Sequence, residues 1–216
     1  MKIINLSGQN SLVNQYLKEL RSVDIQHDSM RFRRNIERIG EIAAYEMSKL
    51  MDYHTETVTT PLAPMEIPII AEPVVLATIL RAGLPYHQGF LNFFDQAENA
   101  FVSAYRQYTS ETAFDIHTEY IASPDLNGKT LIISDPMLAT GSSMHTAWKA
   151  LLQKGTPKKL MLASVIATEQ AINYLQTLMP EDTLLVTAAI DPILNEHAYI
   201  VPGLGDAGDL AYGEKL

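Results

Sequence analysis

The sequence predicts an α/β fold: a central, mainly parallel sheet with helices on both faces, preceded by an N-terminal helical segment. Short, continuously apolar, branched runs occupy residues 74–80, 100–105, 130–134, 159–166 and 184–190. Helix-length segments lie between them, notably 141–154 and 169–179. Strands that are apolar on both faces and alternate with helices belong to a parallel sheet covered on both sides.

The elements follow in chain order. Leu12, Val13, Tyr16, Leu17 and Leu20 fall on one helical face, and Ser11 is placed to cap that helix. Phe32, Ile36, Ile39, Ala43 and Met47 recur at three- and four-residue spacings. They predict a helix of about 20 residues starting near His27-Asp28-Ser29. The basic run at Arg31, Arg33 and Arg34 reads as a solvated face of that helix. Residues 55–71 are rich in Pro and Thr and read as irregular or edge structure. The apolar runs then begin. In sheets of this kind ligands bind beyond the carboxyl ends of the strands. The residues there are Arg81-Ala82-Gly83, Arg106, the stretch from Asp135 to Ser143, and Asp191 with the tail VPGLGDAGD.

Composition removes several function classes. The chain of 216 residues is 47% hydrophobic and 19% charged, which is globular rather than disordered. It has no cysteine, so disulfides, zinc–thiolate sites and cysteine nucleophiles are excluded and a reducing cytosol is expected. The start MKIINLSGQN lacks the apolar core of a signal peptide, and no run is long enough to span a bilayer. A cytoplasmic location without a membrane partner follows. The net charge of −9 disfavours a nucleic-acid partner. The six histidines show no two-ligand spacing on a helix, which argues against a transition metal. Ser142 and Ser143 lack the surroundings of a nucleophile elbow.

The segment LIISDPMLATGSSMHTAWKALLQKG reads as strand, tight loop and helix. The free N–H groups and dipole of a helix N-terminus form an anion cradle. Thr140, Ser142 and Ser143 add hydroxyls, and Gly141 lets backbone approach closely. A plain, well-capped helix would use the same residues. The loop lacks the lysine of a Walker motif, so triphosphate hydrolysis is not indicated. Asp135 would repel a phosphate; it suits sugar hydroxyls or a bound cation. GLGDAG at 203–208 fits G-x-G-x-x-G but opens no βαβ unit before the chain ends.

LIISDPMLATGSS resembles the phosphoribosyl pyrophosphate (PRPP) loop of type I phosphoribosyltransferases, in the form found in uracil phosphoribosyltransferases. Most of the wider superfamily has two adjacent acids there; this chain has Asp135 followed by Pro136. ILRAG and SAYR resemble the pyrophosphate-contacting segments, and NEHAYIVPGLGDAGD resembles the uracil-binding tail. The likeness covers most of the chain.

The resemblance implies a single domain over 1–216, with N-terminal helices at 1–52, a PRPP-binding core at 72–190 and a base-binding tail at 191–216. It implies that Arg81 and Arg106 stabilise the leaving diphosphate with Mg2+, and that Asp135 serves the ribose. Pro136, Met137, Leu138, Ala139, Thr140, Gly141, Ser142 and Ser143 complete the PRPP site. Asp206 joins it as a carboxylate acting on Mg2+ through water. Gly205, Asp206 and Ala207 read uracil, with Ile200 or Tyr199 over a face of the ring. A homo-oligomer, dimer or higher, is expected. Three departures stand out: QYTSETAFDIHTEYIASP after Arg106, Ser142 where a second glycine is usual, and Ala198 where glycine is common. Other readings are a pyrimidine-sensing RNA-binding regulator built on the same fold, a catalytically silent PRPP binder, and a transferase for another base such as hypoxanthine.

Overall fold

The computed structural model describes residues 1–108 and 114–214, of which 104–108 and 114–119 are described by backbone alone. Strand β1 (Lys2–Asn5) leads into helices α1 (Leu12–Arg21) and α2 (Ser29–Ser48). The hairpin β2 (Tyr53–Thr59) and β3 (Pro64–Ile70) follows, then β4 (Val74–Leu80), α3 (Leu84–Leu91), β5 (Glu98–Tyr108), β6 (Phe114–Ala122) and β7 (Thr130–Ser134). The short β8 (Met137–Leu138) precedes α4 (Ser142–Leu151), β9 (Lys159–Thr168), α5 (Glu169–Leu178) and β10 (Leu184–Asp191). A ribbon of β11 (Ile193–Leu194) and β12 (Ile200–Val201) carries the tail into α6 (Ala207–Tyr212).

The N-terminal helices start where their caps are. Ser11 Oγ accepts the Val13 N–H at 3.2 Å, and Asp28 Oδ1 accepts the Arg31 N–H at 3.0 Å. Their apolar faces, including Val13, Leu17 and Leu20 on α1 and Phe32, Ile36, Ile39 and Met47 on α2, are buried. The main sheet has the order β1-β10-β9-β7-β4-β5-β6, with β8 added beside β9. Its pairings are parallel except β5 with β6, which is antiparallel. Successive residues of β4 enter different cores: Val74 and Leu76 pack with α1 and α2, whereas Val75, Ala77 and Ile79 pack with α4 and α5. That alternation is the physical meaning of a continuously apolar run.

The chain leaves β4 towards β5 on one side, while β7 pairs with β4 on the other. The segments after β4 and β7 therefore diverge and leave a crevice at the strand ends. Buried hydrogen bonds tie the two strands just below it. Thr78 Oγ1 donates to Ser134 O at 3.3 Å, and Ser134 Oγ donates to Ala77 O at 3.1 Å. Residues 55–71 prove to be mostly a regular antiparallel ribbon, β2 with β3, its side chains largely exposed. The segment after Arg106 continues β5 to Tyr108 and returns as β6.

Candidate active site

The loop between β7 and α4 is fastened from below by β9. The Asp135 N–H donates to Ala163 O at 3.0 Å, and Pro136 O accepts from the Val165 and Ile166 N–H groups at 3.1 and 3.0 Å. Thr168 Oγ1 donates to Ala139 O at 2.6 Å. Within the loop Asp135 Oδ1 accepts the Met137 N–H at 3.2 Å, so this carboxylate helps shape the turn. Thr140 Oγ1 accepts the Ser142 N–H at 3.3 Å and donates to Ser142 Oγ at 3.1 Å.

Gly141 is the N-cap of α4, with φ +82° and no side chain to cap the helix. A Cβ there would lie 3.0 Å from Tyr174 Cδ1 and 3.3 Å from Ala171 O. The glycine is thus required by its left-handed backbone and by the close approach of α5. Asp135, Met137, Leu138, Ala139, Thr140, Gly141, Ser143 and Met144 line one small pocket. First-turn N–H groups of a helix lack partners within the helix, which makes the mouth of this pocket electropositive. His145 lies one turn into α4. Burial, with help from the Lys149 charge, holds its pKa below the usual histidine value.

Arg81 stands at the end of β4, after a cis Leu80–Arg81 peptide. Its Nη2 donates to Asp209 Oδ1 at 2.6 Å and to Gly213 O at 2.7 Å. The strand end is thereby joined to the tail. Arg106 lies in β5, but its side chain is outside the described residues.

The tail folds over the strand ends and is held by side chains from the N-terminal helices. Asp191, 5% exposed at the end of β10, receives both Arg21 Nη groups at 2.7 and 2.8 Å. Its Oδ2 also accepts the Gly203 N–H at 2.9 Å, and Arg21 donates to Gly203 O at 2.9 Å. Buried Gln26 donates to Leu20 O at 2.9 Å and to Leu204 O at 3.0 Å. Arg33 donates to Ala211 O at 2.6 Å and lies over the Tyr212 ring. The solvated-face reading of the basic run therefore describes Arg31 and Arg34, which pair with surface acids, and not Arg33.

The tail residues expected at the base fall into two groups. Ile200 and Ala207 are buried, at 5% and 4% exposure, and pack into the core. Gly205 and Asp206 are exposed, and Tyr199 is 43% exposed. Asp206 Oδ1 caps α6 by accepting the Asp209 N–H at 3.0 Å. The β7–α4 loop, Arg81 and the tail thus share one end of the sheet. Sequence reasoning overlooked Arg21, Gln26 and Asp209, and read Arg33 as solvated. Asp209 carried the one available signal, as a second acid three residues after Asp206.

A doubly covered, mainly parallel sheet with a tight loop opening a helix at its switch point and a folded tail over it is the architecture of the phosphoribosyltransferase class. The uracil phosphoribosyltransferase family model matches residues 7–214. A uracil phosphoribosyltransferase of Porphyromonas gingivalis is 62% identical over 216 residues, covering all of both chains. The solved AQ2163 protein from Aquifex aeolicus superposes with a TM-score of 0.87 at 28% identity, over 98% of each chain. A hypoxanthine phosphoribosyltransferase from Staphylococcus aureus shares the fold with a TM-score of 0.50 at 14% identity, over 86% of this chain and 84% of that one. This chain belongs to the uracil phosphoribosyltransferase family.

Proposed function

We propose that the protein transfers the phosphoribosyl group of PRPP to N1 of uracil, forming uridine monophosphate and pyrophosphate in pyrimidine salvage. The observation that supports this most is the convergence of the β7–α4 loop, Arg81 and the folded tail on the β4–β7 crevice. In this reading the bond from the anomeric carbon to the diphosphate breaks as the bond to N1 forms. Positive charge develops on the ribose and negative charge on the leaving group. Catalysis is then chiefly positioning and electrostatic stabilisation.

The 5′-phosphate sits against the N-terminus of α4, taking N–H groups and the hydroxyls of Thr140, Ser142 and Ser143. Pro136 to Gly141 shape its seat, and Asp135 serves the ribose hydroxyls. In this reading Arg81 and Arg106 stabilise the leaving diphosphate. Gly205, Asp206 and Ala207 offer main-chain groups to uracil, while Tyr199 covers a ring face and Ile200 supports it from the core.

Among the described residues no group of three or more His, Asp or Glu could cage a metal. That suits Mg2+, which keeps its waters and binds through one or two carboxylates plus substrate phosphates. Asp206 fits this donor set, because its cap uses Oδ1 and leaves Oδ2 for a water. When bound, the ion neutralises charge on the diphosphate.

The lack of cysteine suits a cytoplasmic enzyme, and no helix among the described residues is long and apolar enough to cross a membrane. The β2–β3 ribbon leaves Val58, Met65 and Ile67 exposed, with Leu62 98% exposed at its turn. A two-stranded ribbon is marginal in water alone. This exposed apolar ribbon supports a homo-oligomer in which a second copy covers it. Incubation of the purified chain with labelled uracil, PRPP and Mg2+ tests the reaction. Labelled uridine monophosphate and an equal yield of pyrophosphate are expected; neither product forming in the presence of all three components sinks the proposal.

A further inference from the structure

Asp209 plays no part in the reading above, yet it governs the conformation of Arg81. Its Oδ1 lies 2.6 Å from Arg81 Nη2, and Gly213 O lies 2.7 Å from the same nitrogen. The Asp209 N–H donates to the Asp206 cap at 3.0 Å, and Asp209 O accepts the Gly213 N–H at 2.8 Å. The two groups that grip the arginine are therefore hydrogen-bonded into one short element, from its cap to its last turn. Gly208 closes over the other edge of the guanidinium: a Cβ there would lie 3.6 Å from Arg81 Nε. Nε itself is buried and has no hydrogen-bond partner among the described residues. A guanidinium carries five donors in a rigid fork, and among the described residues only Nη2 is engaged. The pair is not sealed in the interior, since the side chains are 30% and 37% exposed.

We infer that Asp209 is a positioning residue for Arg81, holding one nitrogen so that the exposed part of the fork faces the leaving diphosphate. It also makes that presentation depend on α6 being docked, so the base-binding tail and the diphosphate end are set by one contact. The inference rests on the proposed reaction for the identity of the ligand. It makes a prediction that simple electrostatics reverses. Removing an acid beside a polyanion's site should tighten binding if Asp209 merely competes for Arg81. If Asp209 positions Arg81, removing its charge weakens binding.

Titration calorimetry of PRPP with Mg2+ on the full chain decides between them, using the parent, Asp209→Asn, Arg81→Ala and the double variant. Asp209→Asn is expected to weaken PRPP binding about tenfold, the worth of one charge-assisted hydrogen bond. In the Arg81→Ala background the same change should have no further effect, because a coupled pair is not additive. Asp209→Ala repeats the comparison, and thermal melts confirm that each variant is folded. Tighter or unchanged binding in Asp209→Asn, or losses that add in the double variant, overturn the inference. Uracil turnover is measured separately. A parent that binds PRPP without using uracil defeats the proposed reaction and leaves this comparison intact; a parent that does not bind PRPP defeats both.

Discussion

Thr140 Oγ1 accepts the Ser142 N–H at 3.3 Å and gives its own hydrogen to Ser142 Oγ at 3.1 Å. The hydroxyl both braces the turn and, by rotating, can donate to a phosphate oxygen. Thr140→Val keeps the branched shape and removes both roles. A hydrogen bond to a charged group contributes roughly 1.5–3 kcal/mol, so the Kd for PRPP should rise about 10- to 100-fold. The melting temperature should stay near that of the parent, because the residue is half-buried in a loop. Titration with PRPP and Mg2+ checks this, and an unchanged Kd would mean the loop faces something other than the 5′-phosphate. Other residues were less transparent from sequence. Gly141 reads as room for a ligand, but its missing side chain mainly makes room for Tyr174 and Ala171 of α5. His87 is 3% exposed with Nε2 against Asn99 Oδ1 at 2.8 Å, and burial lowers its pKa.

At the scale of elements, the strands that are buried on both faces announce themselves. β4 and β7 run from Val74 to Leu80 and from Thr130 to Ser134, as the apolar runs indicate, because a continuous branched run has few other uses. α1, α2 and α5 start at side-chain caps, and local hydrogen bonds of that kind are written in local sequence. β1, β6 and the β2–β3 ribbon were opaque for the opposite reason. β1 and β6 close the sheet at its two edges, and β2 with β3 is exposed along most of its length, so patterning is weak there. The tail was picked out by resemblance, whereas its attachments were not. Arg21 and Asp191 are separated by 170 residues, and no local pattern pairs them. Their contact yields the prediction for this element. Asp191→Asn removes the charge facing Arg21 while keeping an acceptor for the Gly203 N–H. Arg21 is 24% exposed at its side chain, so water offsets part of the loss, leaving about 1–3 kcal/mol. The loss should be local. Hydrogen exchange should quicken across 199–213, the KM for uracil should rise, and exchange in β4 and β7 should stay as in the parent. Uniformly faster exchange through the sheet would show that Asp191 supports the whole fold rather than the tail.

At the scale of the molecule, an acidic chain of net charge −9 binds a polyanion only by concentrating donors in one crevice, and affinity for the flat, neutral base must come from elsewhere. On the proposed reading, that division of labour puts specificity in the tail. Gly205 has φ +94°, and among the described residues no hydrogen bond engages its main chain, while Gly203, Leu204 and Ala211 on either side are held by Arg21, Gln26 and Arg33. A pinned segment with an unpinned centre is suited to presenting backbone groups to a ligand without reordering. Against such an array, recognition depends on the donors and acceptors around the ring. Uracil offers a donor at N3 between two carbonyl acceptors. Cytosine replaces the C4 carbonyl with an amino donor and loses the N3 hydrogen, so each mismatch leaves a desolvated group unpaired at about 1–3 kcal/mol. Sites that read a substrate by hydrogen bonds reject such analogues by something like 10⁴-fold. 5-Fluorouracil keeps the whole pattern and adds one small atom, so its turnover should fall within about tenfold of uracil, the cost of a minor steric change. The measurement is kcat/KM for uracil, 5-fluorouracil, cytosine and hypoxanthine at saturating PRPP and Mg2+. Cytosine used as well as uracil would remove backbone reading by the tail, and a preference for hypoxanthine would move this chain's chemistry to purines while leaving its phosphate loop in place.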